Sequence, residues 1–187
     1  MKSSDSDQVL PYWKSERLIL SGSDFLLQAL NLIDSAKVQL DLEFYIFDPG
    51  EMAGQILSAL QRAKTRGVKI RLLVDGVGAH SFYENFEAEI EELQIEAKVY
   101  HPVPWHFTNF SVSLAWWPST VFQLLGSVNS RNHRKVIIAD SDSAIVGSFN
   151  VCDEHLPRPM GGADWLDAGA IVQGSCVRFL VSAFEHA

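Results

Sequence analysis

Cysteine is scarce in this sequence: Cys152 and Cys176 are the only two among 187 residues. They form neither a metal-ligand spacing nor a disulfide framework, and read as reduced core residues of a cytosolic protein. Basic residues are also few, 15 Lys and Arg against 23 Asp and Glu, for a net charge of −8. Binding to nucleic-acid phosphates draws most of its affinity from Lys and Arg, so a surface devoted to nucleic acid is not expected. A small basic pocket is still compatible with that balance. No apolar run approaches the ~20 residues that a transmembrane helix needs, so membrane contact is expected to be peripheral. Residues 1–17 (MKSSDSDQVLPYWKSER) are polar and mixed in charge, unlike a secretory leader, and read as a lead-in segment.

Hydrophobic residues make up 47% of the chain and charged residues 20%. That composition predicts one globular domain, residues 18–187, with a substantial core. Apolar spacing at Phe25, Leu26, Ala29, Leu30, Ile33 and Ala36 predicts a helix over 25–37. Residues 38–47 shift to strand character, with Val38, Leu40 and Leu42 alternating against Gln39, Asp41 and Glu43. A second helix carries Ile56, Leu57, Leu60 and Ala63 on one face and closes at Gly67. A strand over 68–74, an acidic helix over 82–93 and a short strand over 97–100 follow. The β-α-β-α-β order predicts an α/β fold: a mixed, mostly parallel sheet flanked by helices on both faces. Ligands of such sheets bind beyond the carboxyl ends of the strands.

Residues 101–130 break this rhythm, with three prolines, three tryptophans and no charged residue other than histidine. A long aperiodic segment of this kind is expected to be a functional loop, and Trp105, Trp116 and Trp117 suit an interfacial depth in a bilayer. Two strands, 135–139 and 144–146, are then joined by a polar hairpin turn, and a strand over 168–172 leads into a helix from 176.

The informative segment is 132–150, NHRKVIIADSDSAIVGSFN. It fits H-x-K-x4-D-x6-G-S-x-N, with His133, Lys135, Asp140, Gly147, Ser148 and Asn150 in place. Strand periodicity projects His133 and Lys135 to one face, while Asp140 has opposite parity and points toward the turn. A hairpin brings Ser148 and Asn150 beside the His–Lys pair. An imidazole, a fixed cation, a hydroxyl and an amide around one point suit a phosphate. Taken as the HKD motif of the phospholipase D superfamily, which it resembles, the segment implies His133 as nucleophile, Lys135, Ser148 and Asn150 as phosphate contacts, and Asp140 as a structural support of the turn. Arg131 and Arg134 read as surface charge.

The spacing is the HKD motif, and the chain resembles the phospholipase D superfamily. It is most like the amino-terminal half of a bacterial cardiolipin synthase. Residues 42–47 (LEFYIF), 59–78 (ALQRAKTRGVKIRLLVDGVG) and 131–135 (RNHRK) all match segments of those enzymes. Leu166 departs from their W-R-D pattern, and Ser148-Phe149 from their frequent GGxN. The resemblance implies a two-step phosphatidyl transfer through a phosphohistidine, with phospholipid as substrate and without metal or other cofactor. It also implies an orienting carboxylate just before the strand that follows GSxN, which here is Asp167; Asp153 and Glu154 are the competitors.

A complete site of this kind uses two histidines, and His80, His101, His106, His155 and His186 all lack a lysine two residues on. The second motif is therefore expected from a homodimer partner or from a carboxy-terminal half of a longer protein. The leading expectation is a cytoplasmic phosphatidyltransferase, peripheral at the inner membrane. The alternatives are a homodimeric single-motif nuclease or phosphodiesterase, and a non-catalytic half-domain.

Overall fold

The computed structural model describes residues 11–80, 82–101 and 131–187. The expectations for 102–130, including Trp105, Trp116, Trp117 and His106, lie outside the described residues. Seven strands form one sheet: β1 (Ser15–Ile19), β2 (Gln39–Phe44), β3 (Lys69–Asp75), β4 (Glu96–Tyr100), β5 (Val136–Ala139), β6 (Ser143–Gly147) and β7 (Gly169–Gln173). Their order is β1-β7-β6-β5-β2-β3-β4. The strand β1 begins at Ser15, inside the stretch read as a lead-in.

The helical spacings translate directly into burial. In α1 (Gly22–Ser35), Phe25, Leu26, Ala29, Leu32 and Ile33 face the sheet, and the Ser21 hydroxyl caps the helix by accepting the Asp24 N–H at 3.2 Å. In α2 (Glu51–Thr65) the buried stripe is Met52, Ala53, Ile56, Ala59, Leu60 and Ala63. Helix α3 (Phe82–Glu92) buries Phe82, Phe86 and Ile90. All three share one core with the face of β2 that carries Leu40, Leu42 and Phe44. The opposite face carries a second cluster, Val136, Ile138, Ala144 and Val172, covered by α4 (Val177–Glu185) through Val177, Leu180, Val181 and Phe184.

The expected mixed sheet with helices on both faces is present, but it is mostly antiparallel, not mostly parallel. Only β2–β3 and β3–β4 pair in parallel. The pairs β2–β5, β5–β6, β6–β7 and β1–β7 are antiparallel. The β-α-β reading held for β2 through β4. It failed for β1, which crosses to the far edge and pairs with β7, and at β5–β6 a tight turn leaves no room for the crossover that parallel pairing needs.

The face of β2 read as polar by alternation is buried: Asp41 is 2% exposed and Glu43 1%. Asp41 binds Arg71 at 2.6 Å, and Arg71 also holds Glu185 at 2.6 Å and stacks over the Phe184 ring at 4.9 Å. One arginine on β3 therefore fastens the end of α4 to the sheet.

At the β5–β6 hairpin, Asp140 and Ser141 both have positive φ, 53° and 58°. The Asp142 N–H closes a turn on the Ala139 carbonyl at 3.2 Å, within the three residues that join the paired Ala139 and Ser143, and both of its central residues take positive φ, as in the primed turns that suit strand twist. The Asp140 carboxylate accepts the backbone N–H groups of Lys37, Val38 and Gln39 at 2.9, 2.8 and 3.0 Å. Burial pushes this carboxyl up, but the three donors outweigh it and hold it below the usual aspartate value. A folded value depressed in this way contributes stability that is present above about pH 4 and lost as pH falls through the folded value. Asp140→Asn should cost about 1–3 kcal/mol in urea unfolding at pH 7, with the difference from wild type shrinking below about pH 4.

Candidate active site

The site lies at the carboxyl ends of β2 and β3, where Asn132, His133, Arg134 and Lys135 run into β5. Two buried carboxylates hold this segment. Asp75, 0% exposed, accepts the backbone N–H of Asn132 at 3.0 Å and those of Val77 and Gly78 at 2.8 and 3.2 Å. Arg131 adds its guanidinium at 3.7 Å from Asp75. Glu43 binds the Asn132 side-chain amide and the Arg134 guanidinium, the latter at 2.8 Å. Arg134 then reaches the Ala183 carbonyl of α4 at 2.9 Å. Of the two arginines read as surface charge, Arg131 turns inward, while Arg134 stays 43% exposed yet still ties the segment to Glu43 and to α4.

With its neighbours fixed, His133 is left exposed at the rim, its ring stacked on Tyr45 at 4.2 Å with 15° between planes. Among the described residues no hydrogen bond reaches that ring. The Lys135 ammonium donates to the His133 carbonyl at 2.6 Å and lies 5.2 Å from the centre of the Tyr45 ring. Burial pushes it below the ordinary lysine value, against the charges of Asp167 and Asp75. Tyr45 therefore gathers both members of the H-x-K pair, as an aromatic face attracts a cation and stacks an imidazole.

The other wall comes from the end of β6 and the start of β7. Here the two strands approach so closely that a Cβ on Gly147 would lie 2.5 Å from the Gly169 Cα, so only glycine fits. The Ser148 hydroxyl donates to the Asp167 carboxylate and accepts the Ala168 N–H at 3.2 Å. Asn150 turns its amide oxygen to the Ile46 N–H at 3.0 Å, fastening this wall to the segment after β2. Asp153 caps α2 by accepting the Glu51 and Met52 N–H groups, both at 2.8 Å, which commits it elsewhere.

Of the predicted site residues, Lys135, Ser148 and Asp167 are linked by charge or hydrogen bond, and His133 and Lys135 by Tyr45. Asp167 is not hydrogen-bonded to His133. Asp140 is not brought to the group: seven residues at a rise of about 3.3 Å place it roughly 20 Å from His133. Sequence reasoning missed Glu43, Asp75, Tyr45, Asn132 and His155. The usable signal was an acidic residue at the end of each of two apolar strands.

His155 lies behind this wall, 2% exposed. Its Nε2 accepts the Asn150 backbone N–H at 3.2 Å, and its Nδ1 lies 3.4 Å from the Asp167 carboxylate. Burial pushes its imidazole below the ordinary histidine value, against the pull of Asp167 and Glu154.

A seven-stranded mixed sheet with an H-x-K segment opening a central strand defines a phospholipase D fold. A phospholipase D family member from Salmonella typhimurium, Nuc, superposes with a TM-score of 0.63 at 20% identity, covering 92% of each chain. A phosphatidylserine synthase from Haemophilus influenzae superposes at 0.55 and 14% identity, over 93% of this chain and 37% of that one.

The chain belongs to the family described as cardiolipin synthase, PLD-like domain, whose model matches residues 29–158. Cardiolipin synthase 1 of Bacillus anthracis is 30% identical over 168 residues, 90% of this chain and 30% of that protein. The major cardiolipin synthase of Bacillus subtilis is 28% identical over 167 residues, 89% of this chain and 31% of its own length. The chain thus spans about 30% of the curated relatives it matches.

Proposed function

We propose that this chain supplies one histidine-bearing half of a phosphatidyl-transferring site of the cardiolipin synthase kind. The observation that carries it is the H-x-K pair, clasped by Tyr45 and faced across the rim by Ser148 and Asp167. A His133 nitrogen attacks phosphorus, and the bond from phosphorus to the leaving alcohol oxygen breaks. A second imidazole, from another copy of the chain or from the rest of a longer protein, gives that oxygen its proton. The acceptor alcohol then attacks the phosphohistidine, loses its proton to the same imidazole and releases His133. Lys135 offsets the charge gathering on the phosphoryl oxygens, where a preorganised cation in a partly dry site is most effective. Asp167, next to Lys135 and Ser148, is also proposed to orient His133 in the loaded site, where catalytic contacts tighten.

Work at a membrane surface fits two further observations. Among the described residues no helix is long and apolar enough to cross a membrane. Beside Asp167, Trp165 and Leu166 are 50% and 93% exposed, a site-flanking pair suited to the lipid interface.

Vesicles containing labelled phosphatidylglycerol test the reading. Cardiolipin and glycerol should appear in equal amounts when the full-length protein is added. Cleavage of single-stranded DNA with no lipid product would replace this reading with that of a nuclease.

A further inference from the structure

His155 stands outside the H-x-K spacing, yet three parts of the site wall meet on it. A nitrogen that accepts the Asn150 N–H must carry a lone pair, so the proton of the neutral ring sits on Nδ1. That Nδ1 is buried and has no hydrogen-bond partner among the described residues. Asp167 Oδ2, 3.4 Å from it, is within ion-pair reach but not in hydrogen-bonding geometry. The other oxygen of Asp167 is taken by Ser148. Phe149 and Trp165 close on the ring edge-on, with centroids at 5.3 and 5.7 Å. Behind it, a Cβ on Gly22 would fall 1.9 Å from the His155 carbonyl, so α1 blocks retreat of the backbone. The backbone of His155 is thus held in place, with the Asp167 carboxylate beside its Nδ1.

We infer that His155 is a positioning residue: its Nδ1–H takes the Asp167 carboxylate and holds it in register with the Asn150 end of the pocket when a phosphoryl group is bound. A buried donor left unmatched costs free energy, and a donor aimed at a carboxylate just out of reach is matched by a small shift of that carboxylate. Seating a phosphoryl group between Lys135 and Ser148 supplies the shift, because it competes for the Ser148 hydroxyl that now restrains Asp167. The inference rests on the transfer reaction proposed above.

Three substitutions in the full-length protein separate positioning from mere support. His155→Phe keeps the ring and loses both nitrogens. His155→Asn keeps a donor where Nδ1 lies, and His155→Gln keeps an acceptor for the Asn150 amide. In the vesicle assay His155→Phe should lower kcat about 10- to 100-fold with KM nearly unchanged, the size of effect a misplaced catalytic group produces. His155→Asn should recover most of kcat, and His155→Gln should not. Recovery by Gln instead of Asn, or kcat following the folded fraction in all three, overturns the inference and leaves the transfer reading intact. No lipid turnover by wild type overturns both. Should the variants fail to fold, nitrogen-15 spectra of wild-type His155 decide. An Nδ1-protonated ring whose Nδ1 signal moves on adding inorganic phosphate supports the inference, and an Nε2-protonated or unresponsive ring overturns it.

Discussion

His133→Ala should fold normally and lose cardiolipin formation by at least about 10⁴-fold, because removing a covalent nucleophile removes the reaction path itself. A loss of that size corresponds to about 5.5 kcal/mol of transition-state stabilisation. The fold should barely notice. His133 is exposed at the rim, and its one ring contact among the described residues is the stack on Tyr45, worth about 1 kcal/mol. Initial rates on phosphatidylglycerol vesicles measure the first quantity and urea unfolding the second. Acid-quenched protein should carry label on histidine in wild type and none in the variant. A variant retaining a tenth of wild-type activity would show that another group attacks phosphorus.

Asp75→Ala should do the reverse, damaging the fold first and the chemistry through it. Asp75 is fully buried, takes three backbone N–H groups and lies 3.7 Å from Arg131. Its removal leaves the backbone N–H groups of Asn132, Val77 and Gly78 without their acceptor and withdraws a buried negative charge beside Arg131, for a cost of about 3–5 kcal/mol. Chemical unfolding should report that loss as a lower midpoint with an unchanged slope. The protein that remains folded should turn over slowly, since the Asn132 backbone is the anchor immediately before His133. Normal kcat in the folded fraction would show that Glu43 alone suffices to place the motif.

Much of this was legible in the chain, and the reasons are local. Helical spacing found α1 and α2, since a buried stripe at 3.6-residue period has no other explanation. The H-x-K spacing found the rim residues because strand parity and hairpin pairing are both short-range. What stayed hidden depended on distant partners. Nothing near β1 reveals that it pairs with β7 rather than lying beside β2. The alternation at Gln39, Asp41 and Glu43 looked like a wet face, and α4, more than 130 residues later, is what covers it. Asp153 stood as a competitor to Asp167 for His133, and only the distant α2 N-terminus, which claims it, removes it from that role.

The strand that carries the motif, β5, is hydrogen-bonded on both sides, to β2 and to β6. All four of its residues are buried. Strands in that position exchange their amide hydrogens only through opening of most of the structure. The proposed nucleophile thus hangs from the most protected strand of the sheet, while Ser148 and Asp167, proposed to shift when a phosphoryl group binds, lie on its periphery. Substitutions that merely loosen the surface should leave the nucleophile where it is, and those that weaken the sheet should remove activity abruptly, at the global unfolding threshold and not before it.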